Sequence, residues 1–190
     1  MKNVEFATLK KMRTFNTRND LISALPKNLI MAELGVFKGE FSHELLTRMQ
    51  PKELYLVDIW QGSYGSGDKD GNNHVTVDDM EIVYNNIKER YKNNSEVKVI
   101  RCPSGEYLES CANNTFDMIY VDADHSYEAV TNDLQLSFLK IHNSGLLMGH
   151  DYIRGTQIAR AVDDFCIRYQ QNIEVLTYDG CPTFLIQVRK

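Results

Sequence analysis

The stretch from Leu29 to Ser42, LIMAELGVFKGEFS, constrains the fold of this 190-residue chain more than any other. Four apolar residues, Leu29 to Ala32, with Pro26 upstream and glycines downstream, predict a short buried strand. Glu33 stands at the strand's end, and Gly35 and Gly39 bracket a tight turn. An amphipathic helix then begins near Phe41, with Leu45, Leu46 and Met49 on one face. Strand, glycine turn and helix form the opening unit of a Rossmann-like sheet, in which ligands bind beyond the carboxyl ends of the strands.

The rest of the chain repeats that alternation. ELYLVDIW predicts a second strand with Asp58 near its carboxyl end, VKVIRC a third, FDMIYVDADH a fourth and GLLMGHDY a fifth. Between them run helices: one over 78–91 with Met80, Val83, Ile87 and Tyr91 at helical spacing, and a short one capped by Ser104. A third carries Tyr127, Val130, Leu134, Phe138 and Ile141 inward, and TQIARAVDDFCIRY makes the last. IEVLTY and TFLIQV flank Asp179-Gly180, a hairpin signal. The expected fold is α/β: a single doubly wound domain over 1–190, seven strands, mostly parallel, with a C-terminal antiparallel hairpin. Residues 3 to about 25 read as an amphipathic helical preface in two pieces, broken around Thr14 to Asn19, with no chemistry of its own. Residues 61–77 are polar and glycine-rich, and predict a lid or binding loop. Their DKDGNN run is not a calcium loop, because Asn73 stands where glycine is needed and Asp79 where a bidentate glutamate is needed.

Charge and cysteine usage narrow the function classes. The net charge is −5 and no lysine- and arginine-rich run occurs, so the expectation is a small-molecule acceptor, with nucleic acid disfavoured. Cys102, Cys111, Cys166 and Cys181 form no C-x-x-C pair and no zinc spacing, and read as reduced thiols of a cytoplasmic protein. The opening MKNVEFATLKKMR lacks the uninterrupted apolar core of a signal peptide, and no segment is long enough to span a membrane. A homodimer is compatible with all of this.

The glycine spacing speaks to the ligand. A dinucleotide fingerprint needs G-x-G-x-x-G, and from Gly35 that template puts Phe37 and Glu40 where the second and third glycines belong. The E-x-G-x-x-x-G pattern that does stand here carries a carboxylate, which suits a cationic ligand such as S-adenosylmethionine, with its sulfonium and ammonium. Asp58 follows Gly35 by 23 residues, about the distance at which a Rossmann acidic residue meets a ribose diol. The strand ends collect Glu33, Asp58, Asp122, Asp124, His125, His150 and Asp151 on one rim. Asp122 and Asp151, from adjacent strands, are placed to share one hard cation, Mg or Mn, with water and substrate oxygens. His125 or His150 is placed to take a proton from an acceptor hydroxyl. The competing structural reading makes DADH a strand-end cap, with Asp124 or Ser126 starting the next helix.

With these residues in view, the chain resembles the class I S-adenosylmethionine-dependent methyltransferases over nearly its whole length. AELGVFKGEFS is similar to the family's first motif and VDIW to its ribose-binding strand end. VDADHSYEAV, NSGLLMGHDY and AVDDF are similar to the branch of bacterial sugar and small-molecule O-methyltransferases. The resemblance implies that Glu33, Gly35 and Gly39 line the methionine part of the cofactor, with Phe37 in the same turn and Asp122 nearby. It implies further that Asp58 holds the ribose, Ile59 or Trp60 flanks the adenine, and Ser104 and Gly105 lie near the adenine edge. Asp122 and Asp151 match metal-ligand positions of the metal-dependent members, with His150 beside them. Two departures stand out: Tyr152 replaces an asparagine of the catechol-type members, and His125 stands where they carry a lysine base. The expected reaction is methyl transfer to a hydroxyl of a small molecule, a sugar first, with or without a metal. The alternatives are a nicotinamide-dependent oxidoreductase, which would prefer NADH in a binding titration, and a non-catalytic nucleoside-binding module, which needs no aspartate–histidine rim.

Overall fold

Apolar residues alternate along each strand, so each strand feeds two cores, one on either face of a single sheet. The computed structural model describes residues 14–61 and 77–190. In chain order the elements are β1 (Thr14–Phe15), α1 (Arg18–Ser23), β2 (Ile30–Leu34), α2 (Glu40–Met49), β3 (Glu53–Asp58), α3 (Val77–Tyr91), β4 (Val97–Arg101), α4 (Ser104–Ser110), β5 (Phe116–Val121), α5 (Tyr127–Lys140), β6 (Ile141–Gly149), α6 (Gln157–Tyr169), β7 (Ile173–Thr177) and β8 (Phe184–Gln187). The strand order is β1-β7-β8-β6-β5-β2-β3-β4. Only β8 runs antiparallel, inserted between β6 and β7. The C-terminal hairpin therefore extends the parallel sheet from its β6 side.

Met31, Leu54, Leu56, Met118 and Tyr120 face a core closed by Leu21 and Ile22 of α1, Phe41, Leu45 and Met49 of α2, and Met80 and Ile87 of α3. Ala32, Leu34, Val57, Ile119 and Leu147 face the other core, under Leu108 of α4, Val130 and Leu134 of α5, and Val162 and Phe165 of α6. Burying one such leucine or valine contributes about 1.5–3 kcal/mol. The apolar helix faces are thus what holds the layers together.

The seven expected strands are present, and an eighth is added. Thr14–Phe15 falls where the helical preface was expected to break, and there it forms β1, parallel to β7 in register with Leu176 and Thr177, a strand that the sequence did not predict. Helix α1 starts where Thr17 and Asp20 make a reciprocal capping box. The preface's residues 1–13, and the loop expected over 61–77 apart from its ends, lie outside the described residues.

Candidate active site

Strand β2 sits between β5 and β3, where the chain's direction of travel across the sheet reverses. A crevice opens at such a switch point. Here the Gly35 amide donates to the Val57 carbonyl at 2.9 Å, and the Asp122 amide donates to the Leu34 carbonyl at 2.8 Å. A Cβ on Gly35 would lie 1.9 Å from the Asp122 carbonyl oxygen, and the residue's φ is +88°. Only glycine fits that approach, so the glycine turn and the first candidate catalytic aspartate are held against each other.

Glu33 lies beneath this turn, 2% exposed, on the face covered by α2. The Ser42 hydroxyl donates to it at 2.5 Å. Burial pushes the Glu33 carboxyl up to about 8; nearby Asp122 and Asp58 add to the rise, while Ser42 and Arg18 oppose it. Asp58 is also buried, and its carboxylate organises the loops around it. One oxygen accepts the Val36 and Phe37 amides at 2.8 and 2.9 Å, the other the Trp60 amide at 2.8 Å. Trp60 is fully buried, packs on Tyr84 and donates its indole N–H to the Phe37 carbonyl at 3.0 Å. Ile59, by contrast, is exposed at the same strand end. Phe37 and Trp60 both take left-handed φ, +49° and +40°, which bulky side chains rarely do. The Asp58 bonds hold them there.

Across the crevice, β5 and β6 deliver Asp122, His125, His150 and Asp151. His125 Nε2 lies 3.9 Å from an Asp122 oxygen and 3.5 Å from an Asp151 oxygen. His150 Nδ1 lies 3.7 Å from Asp122 and 3.2 Å from Asp151. Asp122, and the charges of Asp151 and Asp124, raise the His125 pKa against the opposing effect of burial. The bond from His150 lowers that of Asp151. Asp151 itself sits at φ +57°, a conformation an aspartate tolerates and one common at functional sites.

The comparisons with known proteins meet this geometry. The profile of a family described as "Methyltransferase domain" matches residues 32–152, which run from β2 through the last of the clustered aspartates. The chain belongs to this methyltransferase family. No curated protein matches the methyltransferase significantly. Among solved structures it is similar to a putative methyltransferase of Streptococcus mutans in complex with SAH, at 14% identity and TM-score 0.61, covering 89% of this chain and 94% of that one. It is similar also to the N-methyltransferase NodS of Bradyrhizobium japonicum, at 14% identity and TM-score 0.62, covering 96% and 98%. The m1A22 tRNA methyltransferase TrmK of B. subtilis matches at 12% identity and TM-score 0.61, covering 93% and 67%. The fold and the S-adenosylmethionine-dependent methyltransferase family expected from the sequence are thereby established. The exclusion of nucleic acid is corrected: a tRNA methyltransferase shares this fold, so net charge and the lack of a basic run do not rule that partner class out. Among the described residues no helix is long and apolar enough to cross a membrane, and all four cysteines are free thiols.

The expected site residues divide in the structure. Glu33, Gly35, Gly39, Asp58 and Ile59 stand on β2, β3 and the turns that follow them, and Asp122 follows the neighbouring β5, whereas Trp60 is fully buried. Ser104, expected as a helix cap near the adenine edge, is the first residue of α4, and its hydroxyl donates to both Asp133 oxygens on α5 at 2.8 and 2.9 Å. A Cβ on Gly105 would meet Asn132 at 2.8 Å, so this pair also packs α4 against α5. Asp124 accepts the Ser126 amide at 2.6 Å, and Ser126 caps α5, so the strand-end-cap reading holds for those two residues. The donor cluster that converges is Asp122, His125 and Asp151, with ligand atoms all within 4.8 Å of one another. His150, expected beside the two aspartates, lies 3.7 Å from Asp122 and 3.2 Å from Asp151, so both histidines stand at the cluster.

Two residues were missed. Arg18 of α1 reaches Asp122 at 3.7 Å, although the preface had no expected chemistry. Arg101 donates to the Ile59 and Trp60 carbonyls at 3.2 and 3.0 Å and pairs with Glu81, pinning the strand end that carries Ile59. Neither carries a sequence signal, since both act through chain-distant contacts.

Asp133 supplies a test of the α4–α5 contact. Burial raises its carboxyl from 3.8 to about 6, opposed by Ser104. The folded state therefore binds that proton more tightly than the unfolded chain, and stability is expected to fall as pH rises from about 4 to about 6. The loss is on the order of 3 kcal/mol. Urea melts of Asp133→Asn should lack this decline, and an unchanged decline would place its source elsewhere.

Proposed function

We propose that this methyltransferase moves the methyl of S-adenosylmethionine to a hydroxyl oxygen of a polyhydroxylated small molecule, a sugar first, with a divalent cation held by Asp122, His125 and Asp151. The observation that carries the reading is the convergence of those three donors at the switch point, hard against the Gly35 turn. The donor set fits a cation: ligand atoms within 4.8 Å of one another can share one ion at ordinary coordination distances. One imidazole with two carboxylates suits manganese better than magnesium. When bound, the cation lowers the acceptor hydroxyl's pKa and the cofactor supplies an electrophilic methyl.

The residues divide the work. Gly35 and Gly39 leave backbone room for the amino-acid end of the cofactor, and Glu33 and Asp122 face its positive charge. Asp58 shapes the turn and presents its strand end to the ribose, with Ile59 beside the adenine. His150 Nδ1 bridges Asp122 and Asp151 and keeps the two carboxylates aimed at one point. A groove lined by Tyr152, Ile153, Arg154, Tyr178 and Pro182 begins at the residue after Asp151 and offers the acceptor an approach. A second reading is favoured by the raised His125 pKa, namely a metal-free reaction in which His125 Nε2 takes the hydroxyl proton.

The deciding experiment offers labelled S-adenosylmethionine with sugars, catechols, amines and RNA, with and without Mn2+. Label on a sugar hydroxyl, dependent on Mn2+, is expected. Label on nitrogen or on RNA alone overturns the acceptor assignment, and chelator-insensitive O-methylation favours the His125 reading.

Glu33 gives a further expected result. Its carboxyl, faced by Ser42, Asp122, Arg18 and Asp58, is protonated at neutral pH in the free protein. A cation bound beside it favours the carboxylate, so binding should release a proton and tighten with pH up to about 8, by at most about tenfold per pH unit. Calorimetry of S-adenosylmethionine in buffers of different ionisation enthalpy checks this. Glu33→Gln should abolish the proton release.

A further inference from the structure

We infer that Arg18 grips the α-carboxylate of the cofactor, making α1 the wall that recognises its amino-acid end. This rests on the cofactor reading above and adds a residue that lies outside the family-matched segment.

The placement is built, not incidental. Strand β1 runs parallel to β7, so the chain emerges from it at the rim where the other parallel strands end. The Thr17–Asp20 capping box starts α1 at that point. The Arg18 amide donates to Asp179 in the turn between β7 and β8 at 3.1 Å, which fixes the first turn of the helix. The guanidinium then lies 4.2 Å over the ring of Phe41, two residues after Gly39 in the first turn of α2. A stacked guanidinium keeps its plane and presents its edge donors. Those donors point toward Asp122, but at 3.7 Å, beyond hydrogen-bond distance.

Charge balance identifies the ligand group. A free amino acid's end carries an ammonium and a carboxylate. The rim offers two carboxyls for the ammonium, Asp122 and, once its proton is displaced by the bound cation, Glu33. Among the described residues, no lysine and no other arginine forms an ion pair with Glu33, Asp122 or Asp151. A carboxylate at this part of the rim therefore has Arg18 as its cationic partner, in the two-pronged geometry that an arginine fork favours.

The test compares two probes by calorimetry: S-adenosylhomocysteine and its decarboxylated analogue. Wild type should favour the carboxylated compound. Arg18→Met should weaken S-adenosylhomocysteine by about 10- to 100-fold, the scale of a lost charge-assisted hydrogen bond, and change the decarboxylated analogue by less than about twofold. Arg18→Lys should recover part of the difference. Equal losses for both probes would make Arg18 a packing residue, and no loss for either would remove it from the site. Either result overturns the inference while leaving the cofactor reading intact. Wild-type protein that binds neither probe would overturn the cofactor reading itself, and this inference with it.

Discussion

Asp151→Asn is expected to lower turnover by about 100- to 10,000-fold while leaving affinity for S-adenosylhomocysteine within about twofold. Asparagine tolerates the left-handed backbone at φ +57°, so the loop after β6 should keep its path. What the substitution removes is charge. His125 Nε2 faces Asp151 at 3.5 Å and Asp122 at 3.9 Å, and with one carboxylate gone the cluster loses both an anionic ligand and the field that raises the His125 pKa. The metal-assisted and metal-free readings therefore both predict a rate loss, and they differ in the accompanying measurement. With a metal, Mn2+ affinity falls alongside turnover. Without one, the pH at which the rate rises moves down, because the His125 pKa falls. The cofactor turn is spared, since its contacts run to Asp58 and Asp122. Full turnover in Asp151→Asn, in metal-free buffer, would remove the acceptor site from this rim.

Gly35→Ala is expected to destabilise the protein by about 2 to 5 kcal/mol, from a left-handed conformation worth about 1–2 and an overpacked contact worth about 1–3. The added Cβ would stand 1.9 Å from the Asp122 carbonyl oxygen and 2.7 Å from the Ala123 Cα. Both are backbone atoms that cannot rotate away. Relief requires β2 and β5 to separate at their ends, which breaks the 2.8 Å bond from the Asp122 amide to Leu34. Total stabilities are about 5–15 kcal/mol, so the loss is a large fraction. Denaturant melts should show it, together with loss of S-adenosylhomocysteine binding in whatever fraction stays folded. Gly155→Ala is the control, because its φ is also +88° but its Cβ would meet nothing within 4 Å. If the two variants melt alike, the close approach is not what makes Gly35 necessary.

Seven of the eight strands described and the rim of acids were legible in the sequence. Alternating apolar runs and helical spacing are local properties, and Met31, Leu54 and Met118 need no distant partner to declare a buried strand. The glycine turn was legible for the same reason, and with it the family. The roles of single side chains were not. Asp58 reads as a ribose ligand from spacing, yet three backbone amides from two loops converge on it. Ile59 or Trp60 is what the resemblance sets beside the adenine, and of the two the Trp60 indole is buried against Tyr84 and Phe37 while Ile59 is exposed. Ser104 reads as a cap, yet its hydroxyl turns to Asp133, 29 residues on.

By itself, then, the sequence determined the layered sheet, the glycine turn after its first predicted strand and the acidic character of the rim at the strands' carboxyl ends, because periodicity and glycine spacing act over a few residues. Tertiary structure alone decided which groups meet. Both His125 and His150 meet Asp122 and Asp151, because the loops after β5 and β6 bring the two rings to the same pair of strand ends. Arg18 reaches Asp122, 104 positions away in the chain, because two residues at the break of the expected helical preface pair with β7. Such meetings depend on register and on the direction of side chains across the sheet, and no local pattern encodes either.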